Sequence, residues 1–103
     1  MLIIETTIFT KLIARLMDDD NYRELQDLLI GNPETGDVIP GSGGLRKIRW
    51  RVAGRGKRGG VRVIYYRVNT AERIYMLYAY AKNEVEDLTR GQLKALRQIV
   101  ERW

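Results

Sequence analysis

The stretch "LRKIRWRV", residues 45–52, sets Lys47, Arg49 and Arg51 at every second position, and the glycine-rich "AGRGKRGG" that follows adds Arg55, Lys57 and Arg58. In an extended strand that spacing projects three cations from one face. Neighbouring like charges repel, so stability alone does not call for them unless an anion lies nearby. Glycine lets backbone N–H groups approach a phosphate closely while the adjacent cations neutralise it. Between Val38 and Ala71 there are nine Lys or Arg residues and not one Asp or Glu, so the chain's net charge of +5 originates in this segment. A polyanion is the expected partner; the plainer alternative is a solvated sheet face whose cations protect an edge. Tyr65, Tyr66, Tyr78 and Tyr80 interleave with the charges and could stack on unpaired bases, or serve as ordinary strand aromatics.

The chain has no Cys and no His, which removes disulfides, thiolate chemistry and the commonest general base and metal ligand. Were the polyanion an RNA to be cut without a metal, the reaction would need a base for the 2′-OH proton, charge stabilisation at phosphorus and an acid for the leaving 5′ oxygen. Lys, Tyr, Glu and Arg are then the available groups. Crowded cations disfavour one another's charged forms, so a lysine inside such a patch could act as the base near neutral pH. The central segment supplies no carboxylate, with Asp37 and Glu84 only at its borders, so neither a metal nor another cofactor is expected.

The elements that must position these groups read as follows. At 103 residues, 45% apolar and 30% charged, the chain is expected to form a single α+β domain over 1–103. "LIIET" is a short apolar strand, followed by a helix capped by Thr7 with Phe9, Leu12, Ile13 and Leu16 along one stripe. A second helix, starting near Asp20 or Asn21, carries Leu25, Leu28 and Leu29 inward and ends at Gly31 and Asn32 before Pro33. Val38 and Ile39 are placed to pair briefly in a turn-rich stretch. Residues 45–81 read as a three-stranded antiparallel meander, with Ile48, Trp50 and Val52 opposite the face of Lys47, Arg49 and Arg51. Thr89 and Gln92 form a capping box for a last helix whose Leu93, Leu96, Ile99, Val100 and Trp103 share one side. The predicted order is β-α-α-β-β-β-α: an antiparallel sheet with two N-terminal helices and a C-terminal helix. No apolar run approaches the ~20 residues of a membrane span, and the N-terminal "MLIIETTIFTKL" lacks a signal-peptide pattern, so a cytoplasmic protein with no membrane partner is expected.

The runs "GDVIPGSGGLRKIRW", "GKRGGVRVIYY" and "YAYAKNE" resemble the HigB branch of the RelE-like toxins of bacterial type II toxin–antitoxin systems, and the resemblance covers essentially the whole chain. It implies a small fold whose helices pack on one face of a four- to five-stranded sheet while the other face holds messenger RNA. It also implies an endoribonuclease, an mRNA interferase that cleaves messenger in the A site of the 70S ribosome and stops translation. The implied partner protein is a cognate HigA-like helix-turn-helix antitoxin.

On this resemblance Lys47 and Arg49 occupy strand positions of catalytic lysines, Arg62 matches the arginine on the scissile phosphate, and Lys82 matches a basic residue after the last strand. Lys57 is a further catalytic candidate, with Arg46, Arg51, Arg55, Arg58, Tyr66 and Tyr80 as RNA-binding residues. Asn83 stands where RelE tends to carry Arg, and Leu88 and Thr89 where it tends to carry a functional Tyr, which leaves the acid open between Tyr80 and Tyr66. The superfamily also contains ParE-like gyrase poisons, and a noncatalytic RNA-binding module would use the same charges.

Overall fold

The sequence around Thr6 offers two threonines as helix cap, and the fold selects the first. The computed structural model describes residues 1–52, 60–84 and 87–103. Strand β1 (Leu2–Glu5) leads into helix α1 (Thr7–Leu16), whose N-cap is Thr6 and not the expected Thr7. The Thr6 hydroxyl accepts from the Phe9 N–H at 3.0 Å and donates to the Leu77 carbonyl at 3.0 Å, so one buried side chain serves both the helix end and the sheet. Thr7 is exposed and has no such second partner to offer.

Asp18 caps helix α2 (Asp19–Gly31) by accepting from the Asn21 N–H at 2.8 Å, which starts the helix slightly earlier than expected. Its inward stripe is Asn21, Leu25 and Leu29 at i, i+4 and i+8, which leaves Leu28 on the outer side at 40% exposed rather than in the core.

The sheet then builds from β2 (Asp37–Val38), β3 (Arg46–Trp50), β4 (Val61–Val68) and β5 (Arg73–Ala81), in spatial order β1-β5-β4-β3-β2. The meander β3-β4-β5 is antiparallel as predicted, and β2 pairs antiparallel to β3. β1 joins the far edge parallel to β5, so the whole sheet is mixed. Helix α3 (Arg90–Arg102) closes the chain with the predicted capping box, Thr89 N–H donating to Gln92 and Gln92 N–H donating to Thr89.

Alternation along the strands feeds two cores. On one face Phe9, Ile13, Leu25 and Leu29 of α1 and α2 pack on Ile48, Val63, Tyr65, Ile74 and Met76. On the other, Leu96 and Val100 of α3 pack on Leu45, Ile64, Tyr75 and Leu77. Burying each such aliphatic or aromatic side chain stabilises the fold by roughly 1.5–3 kcal/mol. The helices are therefore not confined to one face: α3 covers part of the surface that the family resemblance would leave wholly open. The remainder of that face carries the cations.

Tyr65 fixes the approach to β2 from below. Its hydroxyl accepts from the Gly36 N–H at 2.9 Å and donates to the Pro33 carbonyl at 2.9 Å. A Cβ on Gly36 would lie 2.8 Å from the Tyr65 ring, so only glycine allows this approach.

Candidate functional site

Strand register, rather than sequence proximity, assembles the site. Arg49 on β3 lies directly opposite Arg62 on β4, and Arg62 lies directly opposite Tyr80 on β5. Directly opposed side chains share a sheet face, so the three form one row across the strands. Arg62 is 8% exposed and Tyr80 5%, which makes the row the floor of the site and leaves Arg49 as its exposed end.

A β-bulge puts Tyr80 in this row. Ile64 pairs with Tyr78 and Tyr65 with Met76, leaving Leu77 as the extra residue of β5. Before the bulge, Ile74 and Met76 face α1 and α2; after it, Tyr78 and Tyr80 face the α3 side. Strict alternation from Met76 would have sent both tyrosines to the opposite face. The Leu77 carbonyl accepts from Thr6, so the α1 cap holds the irregularity that orients Tyr80.

Lys47, two residues before Arg49 on the same face, extends its ammonium to the Asp87 carboxylate at 3.1 Å. Lys47, Tyr80 and Asp87, with Ile39, Leu88 and Leu93, line a cleft of about 210 Å³. The hydrogen bond and charge of Lys47 hold the Asp87 carboxyl below its ordinary value, with Lys82 and Arg62 adding to the effect. Three cations thus act on a single carboxylate. Burial raises the Tyr80 phenol above its ordinary value, and the charge of Asp87 pushes in the same direction, against a smaller opposing effect of Arg62.

Lys82 is brought to the site by a glycine. The Lys82 N–H donates to the Gly60 carbonyl at 3.2 Å, and Gly60 adopts φ +63° with its Cα so close to β3 that a Cβ would lie 2.4 Å from the Trp50 carbonyl oxygen. No larger residue fits there without moving the backbone that joins β3, β4 and the turn after β5.

Of the residues expected from the sequence, Lys47, Arg49, Arg62, Lys82 and Tyr80 come together. Arg51 is exposed just beyond β3 and keeps the parity of Lys47 and Arg49. Arg46 is set apart, because it alternates with Lys47 and its guanidinium donates to the carbonyls of Glu34 at 3.1 Å and Gly36 at 2.8 Å. Tyr66 is also engaged elsewhere: the Arg97 guanidinium lies 5.0 Å from its ring centroid, and the ring packs in the α3 core instead of offering an open stacking surface. Arg55, Lys57 and Arg58 lie outside the described residues. Asp87 is the site residue that sequence reasoning missed; its only sequence signal is an acid placed just ahead of the Thr89 cap.

Chemically, the arrangement presents fixed positive charge on an open surface and a protonated phenol at its floor. Asp87, ionised at neutral pH, is unsuited to donating a proton, whereas Tyr80 keeps its proton there. Among the described residues, no group of three or more Asp or Glu side chains is placed to hold a metal ion, and no helix is long and apolar enough to cross a membrane.

Comparison with solved structures finds a similar fold in a structure of E. coli toxin RelE, a double arginine-to-alanine mutant in the free state. The two share 13% sequence identity at a TM-score of 0.63, over 93% of this chain and 95% of that one. At that identity the likeness speaks for the fold. The family model described as the RelE toxin of the RelE/RelB toxin–antitoxin system matches residues 8–103, which takes in nearly all of α1, the whole of α2 and α3, strands β2 to β5 and every described residue of the cationic face. The chain belongs to the RelE toxin family of toxin–antitoxin systems.

Proposed function

We propose that this protein is a HigB-type toxin that acts as a ribosome-dependent, metal-independent endoribonuclease, cutting messenger RNA in the A site of the 70S ribosome and so halting translation. The observation that carries this reading is the convergence of Lys47, Arg49, Arg62 and Lys82 with Tyr80 on the sheet surface beside α3, in a chain of the RelE family. The motifs "GSGGLRKIR" and "GKRGGVRVIYY" support the HigB branch.

In the proposed reaction the 2′-oxygen attacks the adjacent phosphorus, the phosphorus–O5′ bond breaks, and a 2′,3′-cyclic phosphate and a free 5′-OH result. Arg62 and Arg49 stabilise the charge that develops on the phosphoryl oxygens, Arg62 as a desolvated cation in the floor and Arg49 from its exposed end. Lys47 and Lys82 flank the phosphate as cations, and Lys57, set between Arg55 and Arg58 in the sequence, is the candidate that receives the 2′-OH proton in its neutral form. Tyr80 is the proton donor to the leaving O5′, since its phenol stays protonated and lies in the row with Arg62. Tyr66 is the weaker choice because its ring lies against Arg97. Arg51, with Arg55 and Arg58 of the glycine-rich stretch, extends phosphate binding along the strand of RNA.

Membership of the RelE family implies an antitoxin partner, and a HigA-like helix-turn-helix protein encoded next to this one is the partner proposed, acting in the cytoplasm. Gyrase poisoning, the ParE-like alternative, gives no role to so dense a cationic face, and a plain RNA-binding module gives none to the buried Tyr80 beside Arg62. Induced expression in growing cells tests the reading. Amino-acid incorporation should stop at once while thymidine incorporation continues, and coexpression of the neighbouring gene should restore growth. Early arrest of DNA synthesis with gyrase-linked breaks contradicts it.

A further inference from the structure

We infer that the Asp87 carboxylate occupies the position of an RNA phosphate and masks the cationic site, so that a phosphodiester must displace it from Lys47 to bind productively. The inference rests on the proposed RNA-cleaving function and adds to it a built-in competitor. Three observations carry it. Asp87 reaches Lys47 at 3.1 Å, yet Lys47 lies on β3 and Asp87 in the connection before α3, 40 positions apart in sequence. Lys82 and Arg62 act on the same carboxylate, so Asp87 sits where the field of three cations meets, which is where a phosphate would be most strongly held. Finally, the Asp87 side chain is 68% exposed against 29% for Lys47, so the acid can rotate into solvent without disturbing the core while the lysine stays against the cleft.

A carboxylate and a phosphodiester each present anionic oxygens to an ammonium, so they compete for the same donor. A competitor attached to the protein weakens binding of any single stray phosphate. A messenger strand, which offers several phosphates at once to Arg49, Arg62 and Lys82, outcompetes it. Such a device favours extended RNA over free nucleotides and inorganic phosphate.

The test uses a fluorescent single-stranded 2′-O-methyl oligonucleotide, which lacks the attacking hydroxyl and therefore separates binding from cleavage. Affinity is measured over a salt series for the wild type, Asp87→Asn, Asp87→Glu and Lys47→Ala, and for Asp87→Asn combined with Lys47→Ala. Asp87→Asn should tighten binding between about twofold and fivefold at low salt, the scale of an exposed ion pair. It should also steepen the log–log salt dependence by about 0.7, the increment for one more phosphate neutralised on a single strand. Asp87→Glu should stay close to the wild type, and the gain from Asp87→Asn should shrink when Lys47 is absent. Equal or weaker binding by Asp87→Asn, with unchanged circular dichroism, overturns the masking role, as does absence of binding by all five proteins. Messenger cleavage during translation, measured separately on the wild type, judges the underlying reading, so the two can fail independently.

Discussion

The Thr6 hydroxyl donates to the Leu77 carbonyl at 3.0 Å, joining the first helix cap of the chain to the bulge in its last strand. Through that bond a residue at the N-terminus helps decide which face of the sheet Tyr80 occupies. Thr6→Val removes both the cap to Phe9 and the partner of a buried carbonyl, and should cost about 2 kcal/mol in urea denaturation. Thr6→Ser, which keeps the hydroxyl, should recover most of that loss. Beyond stability, Thr6→Val should lower activity in molecules that are still folded, because the bulge it releases orients Tyr80.

Tyr80→Phe keeps the ring in place and removes the proton that the account assigns to the leaving oxygen. Cleavage should fall by about a hundredfold or more, in line with loss of a general acid. Tyr66→Phe should be nearly silent, because the contact of that residue with Arg97 uses the ring face. With the phenol raised above its ordinary value of 10.0, the alkaline loss of activity due to Tyr80 should lie above pH 10. Equal activity of wild type and Tyr80→Phe in single-turnover cleavage removes Tyr80 from the mechanism.

Acid titration probes the Lys47–Asp87 pair directly. The Asp87 carboxyl is lowered from 3.8 in the folded protein, so the stability it contributes is present above 3.8 and is lost as the pH falls through the lower folded value. Carboxyl-carbon NMR should show Asp87 titrating below 3.8 in the wild type and closer to 3.8 in Lys47→Ala. A titration at or above 3.8 in the wild type contradicts the pairing.

Gly60→Ala tests the support of the site rather than its chemistry. Its new Cβ would lie 2.4 Å from the Trp50 carbonyl oxygen at a positive φ, so both the strand start and the bond to the Lys82 N–H must shift. Thermal denaturation should show a clear loss of stability, and the folded fraction should bind RNA more weakly. Gly31→Ala, where nothing lies within 4 Å of the added carbon, provides the control and should leave binding unchanged.

Much of this site was legible in the chain because polar and apolar residues alternate cleanly from Lys47 to Val52. That pattern separates the cationic face from the core, but the expectation that Arg46 binds RNA passed over the same parity, which sets it with Ile48 and away from Lys47, bonded to Glu34 and Gly36. In "IYMLYAYA" no polar residue marks either face, so a one-residue bulge leaves no trace in the pattern, and the side taken by Tyr80 emerges only from the register with β4. Asp87 was illegible for a different reason: it is an exposed acid in a polar stretch, and its significance comes from Lys47, 40 positions away. Thr6 and Thr7 offer equal cap chemistry, and a tertiary partner, Leu77, decides between them.

If the cationic row cuts messenger on the ribosome, in vitro translation followed by primer extension on the messenger will reveal the cuts. The wild type should produce codon-periodic cuts within the translated frame, with none when ribosomes are omitted. Lys47→Ala combined with Arg49→Ala, with circular dichroism unchanged, should reduce those cuts at least about a hundredfold. Intact messenger in the presence of folded, growth-inhibiting wild-type protein, or full cutting by the double variant, would contradict ribosome-dependent cleavage by this face.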